Sequence, residues 1–544
     1  MDEPRDLSRR VVMRAAAASA ALGVGRPSMA HAKDPAERIV ATTAGRLRGV
    51  RTDGVSVFKG VPYGASTGGV ARFRLPEPVP AWRGLRDALH FGPQCPQIAL
   101  PEPPLYASWM TPRASSEDCL TLNVWTPRDG DRRVRPVMVW LHGGGFVGSN
   151  AGVSVYDGAR LAARQDVVVV TLNHRLNLFG YLYLGQLFDE RYRLGNPGHL
   201  DIVAALSWVR DNISSFGGDP GNVTVFGQSG GAAKVCALLG MPAAEGLFHK
   251  AIVQSGALPT CVPKDHATAA AERLLAELGL KSGDEAGLAS CPTERMLAAF
   301  GKLLASPQGQ AFGPVVDGAT LPEHPFAASA SPTCAQVPLL IGTMADETRV
   351  LAAPGDFDLD WNSLPVRLGA VLAGAPATLV SDVIARYRAA RPAATAPDVL
   401  FAVTRDLFHT ANTLHVADLK SAQAAPVFRY RVTWKSPLDG GKWGAFHGLD
   451  LPLVFDNVAG SASLLGDDAE AESEAQALAD RVSAAWSAFA RTGHPAAAGL
   501  PHWSAYDPRT RNTMIIDVSP RIESDPDRPE RGIYETLPAI PMVS

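Results

Sequence analysis

Charge is scarce in this chain: Asp, Glu, Lys and Arg make up 19% of its 544 residues, and 51 basic against 54 acidic side chains leave a formal net charge of −3. So close a balance, with no clustered Arg/Lys stripe carrying interleaved aromatics, excludes nucleic acid as a partner. Low charge here does not mean disorder, because 46% of the residues are apolar and can fill a large core. Motifs for metals and nucleotides are missing too. There is no His-Glu-x-x-His, no Gly-x-x-x-x-Gly-Lys-Ser/Thr and no Cys-x-x-Cys, and the spacing of His409 and His415 keeps them off one helix face. No metal and no cofactor is therefore expected. Beyond the N-terminus no stretch approaches the roughly eighteen consecutive apolar residues of a membrane span, so the mature chain is expected to lack an integral membrane segment.

Residues 1–32 carry Arg5, Arg9, Arg10 and Arg14, then a mildly apolar run Ala15–Val24 and the small-x-small site Ala30-His31-Ala32. That is the pattern of an export signal, and the adjacent arginines before a weakly apolar segment resemble a bacterial twin-arginine signal. The mature protein is then expected to be periplasmic or extracellular, and its six cysteines become disulfide candidates. No repeat or low-complexity linker divides residues 33–544, which read as one catalytic domain.

Within that domain, glycine-punctuated β-type runs between Ile39 and Tyr63 predict a small N-terminal antiparallel sheet. Val137–Leu141, Val167–Thr171 and Val223–Phe226 are short, nearly continuous apolar runs, as expected for parallel strands buried on both faces. A helix-like segment, Leu200–Phe216, precedes the third run. Further strand-like runs at Ala251–Gln254, Val337–Ile341 and Val427–Val432 alternate with helix-like stretches at 265–305, 362–420 and 470–491. The prediction is an α/β fold: a large, mostly parallel central sheet flanked by helices, with helical insertions over the site.

The chemistry centres on Gly227-Gln228-Ser229-Gly230-Gly231, which follows one predicted strand and opens a helix-like run. Gly-x-Ser-x-Gly in that context is a nucleophile elbow: the tight turn lifts Ser229 above the sheet, and the glycines leave room for backbone to approach backbone. Upstream, His142-Gly143-Gly144-Gly145-Phe146 closes another strand. Consecutive glycines let main-chain N–H groups converge, so Gly143, Gly144 and Gly230 are the candidate oxyanion hole. A serine nucleophile needs a histidine base and an acid to orient it. His447, in the loop Gly444–Gly448 after a strand, is the candidate base. His409 and His415 compete on spacing but fall in a helix-like run.

On these motifs the chain resembles the type-B carboxylesterases, an α/β-hydrolase family. The likeness extends to Phe58–Tyr63, Glu117–Val124, Asn173 with Arg175, Gly195–Pro220 and His447-Gly448. It implies that Glu347, in Gly342-Thr343-Met344-Ala345-Asp346-Glu347, is the triad acid; read from the residues alone, adjacent Asp346 competes. It further implies a disulfide between Cys95 and Cys119 and a supporting role near the triad for Ser255. Three positions depart from the family pattern: Gln228 stands where many members have Glu, Thr348 replaces a usual Gly, and His174 replaces a usual Tyr. Losing the carboxylate at 228 implies less preference for cationic substrates. The expected function is hydrolysis of small-molecule esters through an acyl-enzyme. The alternatives are a specialised ester, carbamate or amide as substrate, or a non-catalytic binding module. Specificity is expected in the loop around Tyr106, Trp109 and Met110, in insertions at 262–330 and 350–420, and near Trp434 and Trp443.

Overall fold

In the computed structural model, residues 36–99, 103–107, 110, 113–127, 133–305, 311–372 and 375–536 are described. The predicted export signal and Trp109 lie outside these residues. The apolar runs form the strands Arg135–Leu141, Val168–Leu172, Gly218–Gln228, Lys250–Gln254, Leu339–Met344 and Val427–Val432, which pair in parallel across the middle of a thirteen-stranded sheet. Alternate residues of each strand enter different cores. Val137, Val139 and Leu141 pack in one cluster while Met138 and Trp140 pack in the other, and Val168 and Val170 are likewise separated from Val169. Burial on both faces is why these runs are continuously apolar.

The antiparallel strands at the N-terminal end do not make a separate sheet, as had been expected. Val55–Pro62 pairs with Thr121–Pro127, which pairs with Val168–Leu172, so Ala36–Ala41 and Arg46–Thr52 extend the edge of the same large sheet. At the other edge, Asn512–Ile516 runs parallel to Val427–Val432 and Arg521–Ser524 closes the sheet antiparallel. The helical stretches resolve into Pro197–Asn212, Lys264–Glu277, Thr293–Leu304, Leu364–Val371, Ala377–Ala390, Ala396–Arg405, Ala411–Ser421 and Ala469–Thr492. None of the described helices is long and apolar enough to cross a membrane.

Val427–Val432 leads toward the His447 loop, and its position is fixed by charge. Arg429 Nη2 donates to Asp527 at 2.6 Å, Arg431 donates to the other carboxylate oxygen, and all three residues are buried. Removing one partner strands buried charges, which is far costlier than losing a surface pair. Asp527→Ala is expected to lower unfolding free energy by roughly 3–5 kcal/mol in urea titrations; a loss below about 1 kcal/mol would refute the anchoring role.

Candidate functional site

Ser229 joins the strand Gly218–Gln228 to the helix Gly230–Leu238 and sits at φ 56° and ψ −126°. That backbone conformation is unfavourable for any residue with a Cβ and persists only where the surroundings enforce it. Here the Ser229 N–H donates to the Gln254 carbonyl at 2.9 Å, and Ala233 N–H donates back to the Ser229 carbonyl at 3.0 Å. A side chain at Gly231 would overlap the Leu141 carbonyl, and one at Gly227 would come within 2.5 Å of the Gly231 carbonyl carbon. The two glycines are what allow strand and helix to meet at this angle.

The glycine loop leaves the end of Arg135–Leu141, with Gly144 at φ 79° and Gly145 at φ 59°. It lies against the elbow: a Cβ built on Gly143 would be 3.6 Å from Ser229 Cβ, and one on Gly230 would run into Gly145. Among the described residues, the N–H groups of Gly143, Gly144 and Gly230 donate to no backbone carbonyl. The structure thus brings Gly143 and Gly230, two of the three candidate oxyanion donors, beside Ser229, while Gly144 turns against Gly148 in the same loop.

Glu347 follows the strand Leu339–Met344 and is fully buried. Its Oε1 accepts from Met344 N–H at 2.8 Å and its Oε2 from His447 Nδ1 at 2.6 Å. Burial alone would raise its pKa, but the neighbouring His409 and His447 and these hydrogen bonds outweigh it and hold the carboxyl at about 2. Asp346 does not reach the ring. It accepts from Ala445 N–H at 3.0 Å and pairs with Arg349 at 3.3 Å, bracing the loop from outside. With Nδ1–H committed to Glu347, His447 Nε2 carries a lone pair, and the Gln228 amide donates to it at 3.0 Å. The absent carboxylate at 228 therefore has a consequence the sequence did not suggest: an amide occupies the nitrogen that would receive the Ser229 proton.

Ser255 is buried at φ 52°, its N–H donating to Gly342 at 2.9 Å. The next residue, Gly256, abuts the Ser229 carbonyl. Two titratable residues close to the triad went unforeseen as members of this cluster. His409, in a π-helical turn at Asp406–Thr410, has its ring centroid 5.1 Å from that of His447 and a buried, unpartnered Nδ1. Burial pulls its pKa down to about 4, so it is neutral. Asp450 is fully buried, accepts from Gln254 Nε2 at 2.7 Å and is pushed up to about 6 by that burial. Neither lies in a motif. Glu347, His409 and His447 place one potential metal-ligand atom each within 4.8 Å of one another. Two of the three are already bonded to each other, so the grouping serves proton transfer better than coordination.

Ser229, Gly230 and His447 open onto a cavity of about 510 Å³. Its wall comes from the predicted insertions, with Phe300, Leu304 and Phe312 from one and Leu351, Leu400, Phe401 and Phe408 from the other. The only ion pair among its lining residues joins Asp356 to Arg367 at 2.6 Å, which leaves the wall without an uncompensated charge. The aromatic expectation needs correction. Met110, Trp434 and Trp443 do not line the cavity: Trp434 donates to Glu474 at 3.0 Å, and Trp443 packs edge-on against Phe357 at 5.5 Å, one layer behind Phe401. Tyr106 instead supports the base, its hydroxyl donating to the His447 carbonyl. All six cysteines are buried thiols in the structure, with Cys95 and Cys119 in hydrogen-bonding contact and no sulfur–sulfur bond formed.

Asp450 yields a pH signature. Its folded pKa of about 6 lies above its reference value of 3.8, so this group favours the native state at low pH, and that contribution is lost as pH rises through about 6. Asp450→Asn, permanently neutral, should gain roughly 2–3 kcal/mol of stability over the wild type at pH 8 and little at pH 4. Chemical denaturation at the two pH values measures it, and an equal change at both would contradict the assignment.

Comparisons with known proteins identify the family. The model of the Carboxylesterase family matches residues 36–531. The chain is 38% identical to the para-nitrobenzyl esterase of Bacillus subtilis (strain 168) over 501 residues, 91% of this chain and 98% of the relative. It is 34% identical to the phenmedipham hydrolase of Pseudarthrobacter oxydans, covering 92% and 99% of the two chains. Among solved structures, a Geobacillus stearothermophilus carboxylesterase superposes with a TM-score of 0.78 at 38% identity, covering 91% of this chain and 99% of the other. The fold is that of the α/β hydrolases, and the chain belongs to the carboxylesterase family as an ester-cleaving serine hydrolase.

Proposed function

We propose that this protein is an exported carboxylesterase that cleaves small to medium apolar esters by acyl transfer through Ser229, His447 and Glu347. The observation that carries the reading is the buried 2.6 Å bond between His447 Nδ1 and Glu347, beneath an apolar cavity that Ser229 also lines. A substrate entering the cavity places its carbonyl carbon over Ser229 Oγ and its oxygen toward the N–H groups of Gly143, Gly144 and Gly230. The Ser229 hydroxyl replaces the Gln228 amide at His447 Nε2 and gives up its proton there as Oγ attacks. Glu347, held ionised at about pKa 2, stabilises the imidazolium and keeps the ring in the tautomer needed. Collapse of the tetrahedral intermediate expels the alcohol, which takes the proton from Nε2. Water, deprotonated by the same nitrogen, then releases the acid and restores Ser229.

The aromatic and aliphatic wall favours apolar acyl or alcohol groups, since binding there is driven by area removed from water. The paired Arg367 offers no free cation for an anionic ester. A panel of para-nitrophenyl and naphthyl esters of rising acyl length, with one amide and one carbamate, tests substrate class; cleavage of none of them would leave a binding role instead. Ser229→Ala is expected to lower turnover by several orders of magnitude and to abolish covalent labelling by an organophosphate. Labelling that persists on another serine would overturn the nucleophile.

Export follows from residues 1–32, and with it an oxidising compartment in which Cys95 and Cys119, already in contact, would be joined. Residues 33–544 then form the mature hydrolase domain. Protein recovered from the periplasm or medium should begin after Ala32 and show four alkylatable thiols under denaturing, non-reducing conditions. Six thiols would rule out the pairing.

A further inference from the structure

Lys234 stands on the elbow helix Gly230–Leu238 and is fully buried. No carboxylate accepts from it among the described residues. Its Nζ donates instead to two main-chain carbonyls, His142 at 3.0 Å and Gly145 at 2.8 Å, with the Phe146 ring 5.5 Å away. The titratable groups around it are three buried histidines, His142, His174 and His199. Burial first, and then the lysine's own charge, keep all three neutral. An amine enclosed in this way destabilises the fold relative to an apolar side chain of the same length, because its desolvation is only partly offset by two carbonyl partners. Burial pulls it down to about 7.

What the amine holds accounts for that cost. The His142 carbonyl and the Gly143 N–H belong to one trans peptide and point in opposite directions. An oxygen drawn down onto Lys234 therefore sends the Gly143 N–H the other way, out of the core, and Gly143 lies against Ser229. Residues 143–145 have no side chains to set their peptide planes, and Gly144 and Gly145 both have positive φ. The second bond, to Gly145, fixes the far end of the same loop.

We propose that Lys234 is the positioning residue of the oxyanion hole: its Nζ pins the His142 and Gly145 carbonyls, orients the Gly143 N–H toward the reacting carbonyl and, when protonated, places a positive charge behind the peptide that receives the developing negative charge. The inference rests on the Ser229 acyl-transfer reading above. Because the oxyanion exists only in the transition state, the contribution falls on kcat rather than on substrate binding.

The test is Lys234→Met, which preserves length and burial and removes both donors and charge. With para-nitrophenyl butyrate, kcat should fall on the order of a hundredfold with KM within about threefold. A trifluoromethyl ketone, which forms a hemiketal resembling the tetrahedral intermediate, should lose affinity by the same factor as kcat/KM. Tm should stay equal or rise, which a merely structural lysine would not allow. A kcat/KM within about threefold of wild type, or a fall in kcat with unchanged ketone affinity, overturns the proposal. If K234M does not fold, K234Q, which keeps amide hydrogens without charge, is read by the same two ratios. Failure of the acyl-transfer reading is distinct: there the wild type itself would not bind the ketone through Ser229, and S229A would retain turnover.

Discussion

The backbone at Ser229 is held at φ 56° and ψ −126° by a carbonyl from the neighbouring strand, and the rest of the site is arranged around that enforced turn. The turn needs Gly231 against the Leu141 carbonyl, so the end of Arg135–Leu141 lies beside the nucleophile. That contact brings the glycine loop to Gly230. It also needs the Gln254 carbonyl, which ties Lys250–Gln254, and through it Ser255 and Gly256, to the elbow. Strand order does the rest. Leu339–Met344 and Val427–Val432 are the next two strands in the sheet, and the loops beyond them supply Glu347 and His447. Ligand sites in α/β sheets gather at the carboxyl ends of parallel strands for this geometric reason.

Polar groups are stored in the core here at a density that stability alone would not select. Glu347 and His447 satisfy each other, and Gln228 fills the remaining ring nitrogen. Burial keeps His409 neutral and raises Asp450, packed beside them, to about 6. Lys234 has only carbonyl partners. Each is tolerable because hydrogen bonds offset part of its desolvation. Fold and catalysis make opposite demands on these positions, the pattern expected where local rules are broken for a site.

Much of this was legible along the chain because it is encoded locally. Gly-x-Ser-x-Gly and the triple glycine each carry their own turn geometry, and apolar runs such as Val137–Leu141 announce strands buried on both faces. The choice between Glu347 and Asp346 was not legible from the residues themselves: they are adjacent, and only the rotation of the turn decides which reaches His447. The N-terminal strands were read correctly as antiparallel but misread as a separate sheet, since pairing of Val55–Pro62 with Thr121–Pro127 spans some sixty residues of intervening chain. Trp434 and Trp443 looked like pocket aromatics because composition records that a ring is present and not which side of a wall it faces.

The sequence by itself determined the strands, the elbow and the glycine loop, since each follows from residue types within a few positions of one another. The tertiary structure alone decided that Gln228 sits on His447 Nε2, that His409 and Asp450 crowd the triad, and that Lys234 reaches beneath the oxyanion loop. Those contacts join residues as much as 219 positions apart. A hydrogen bond depends on where two backbones cross in space, and the spacing of residues along one chain does not contain that information.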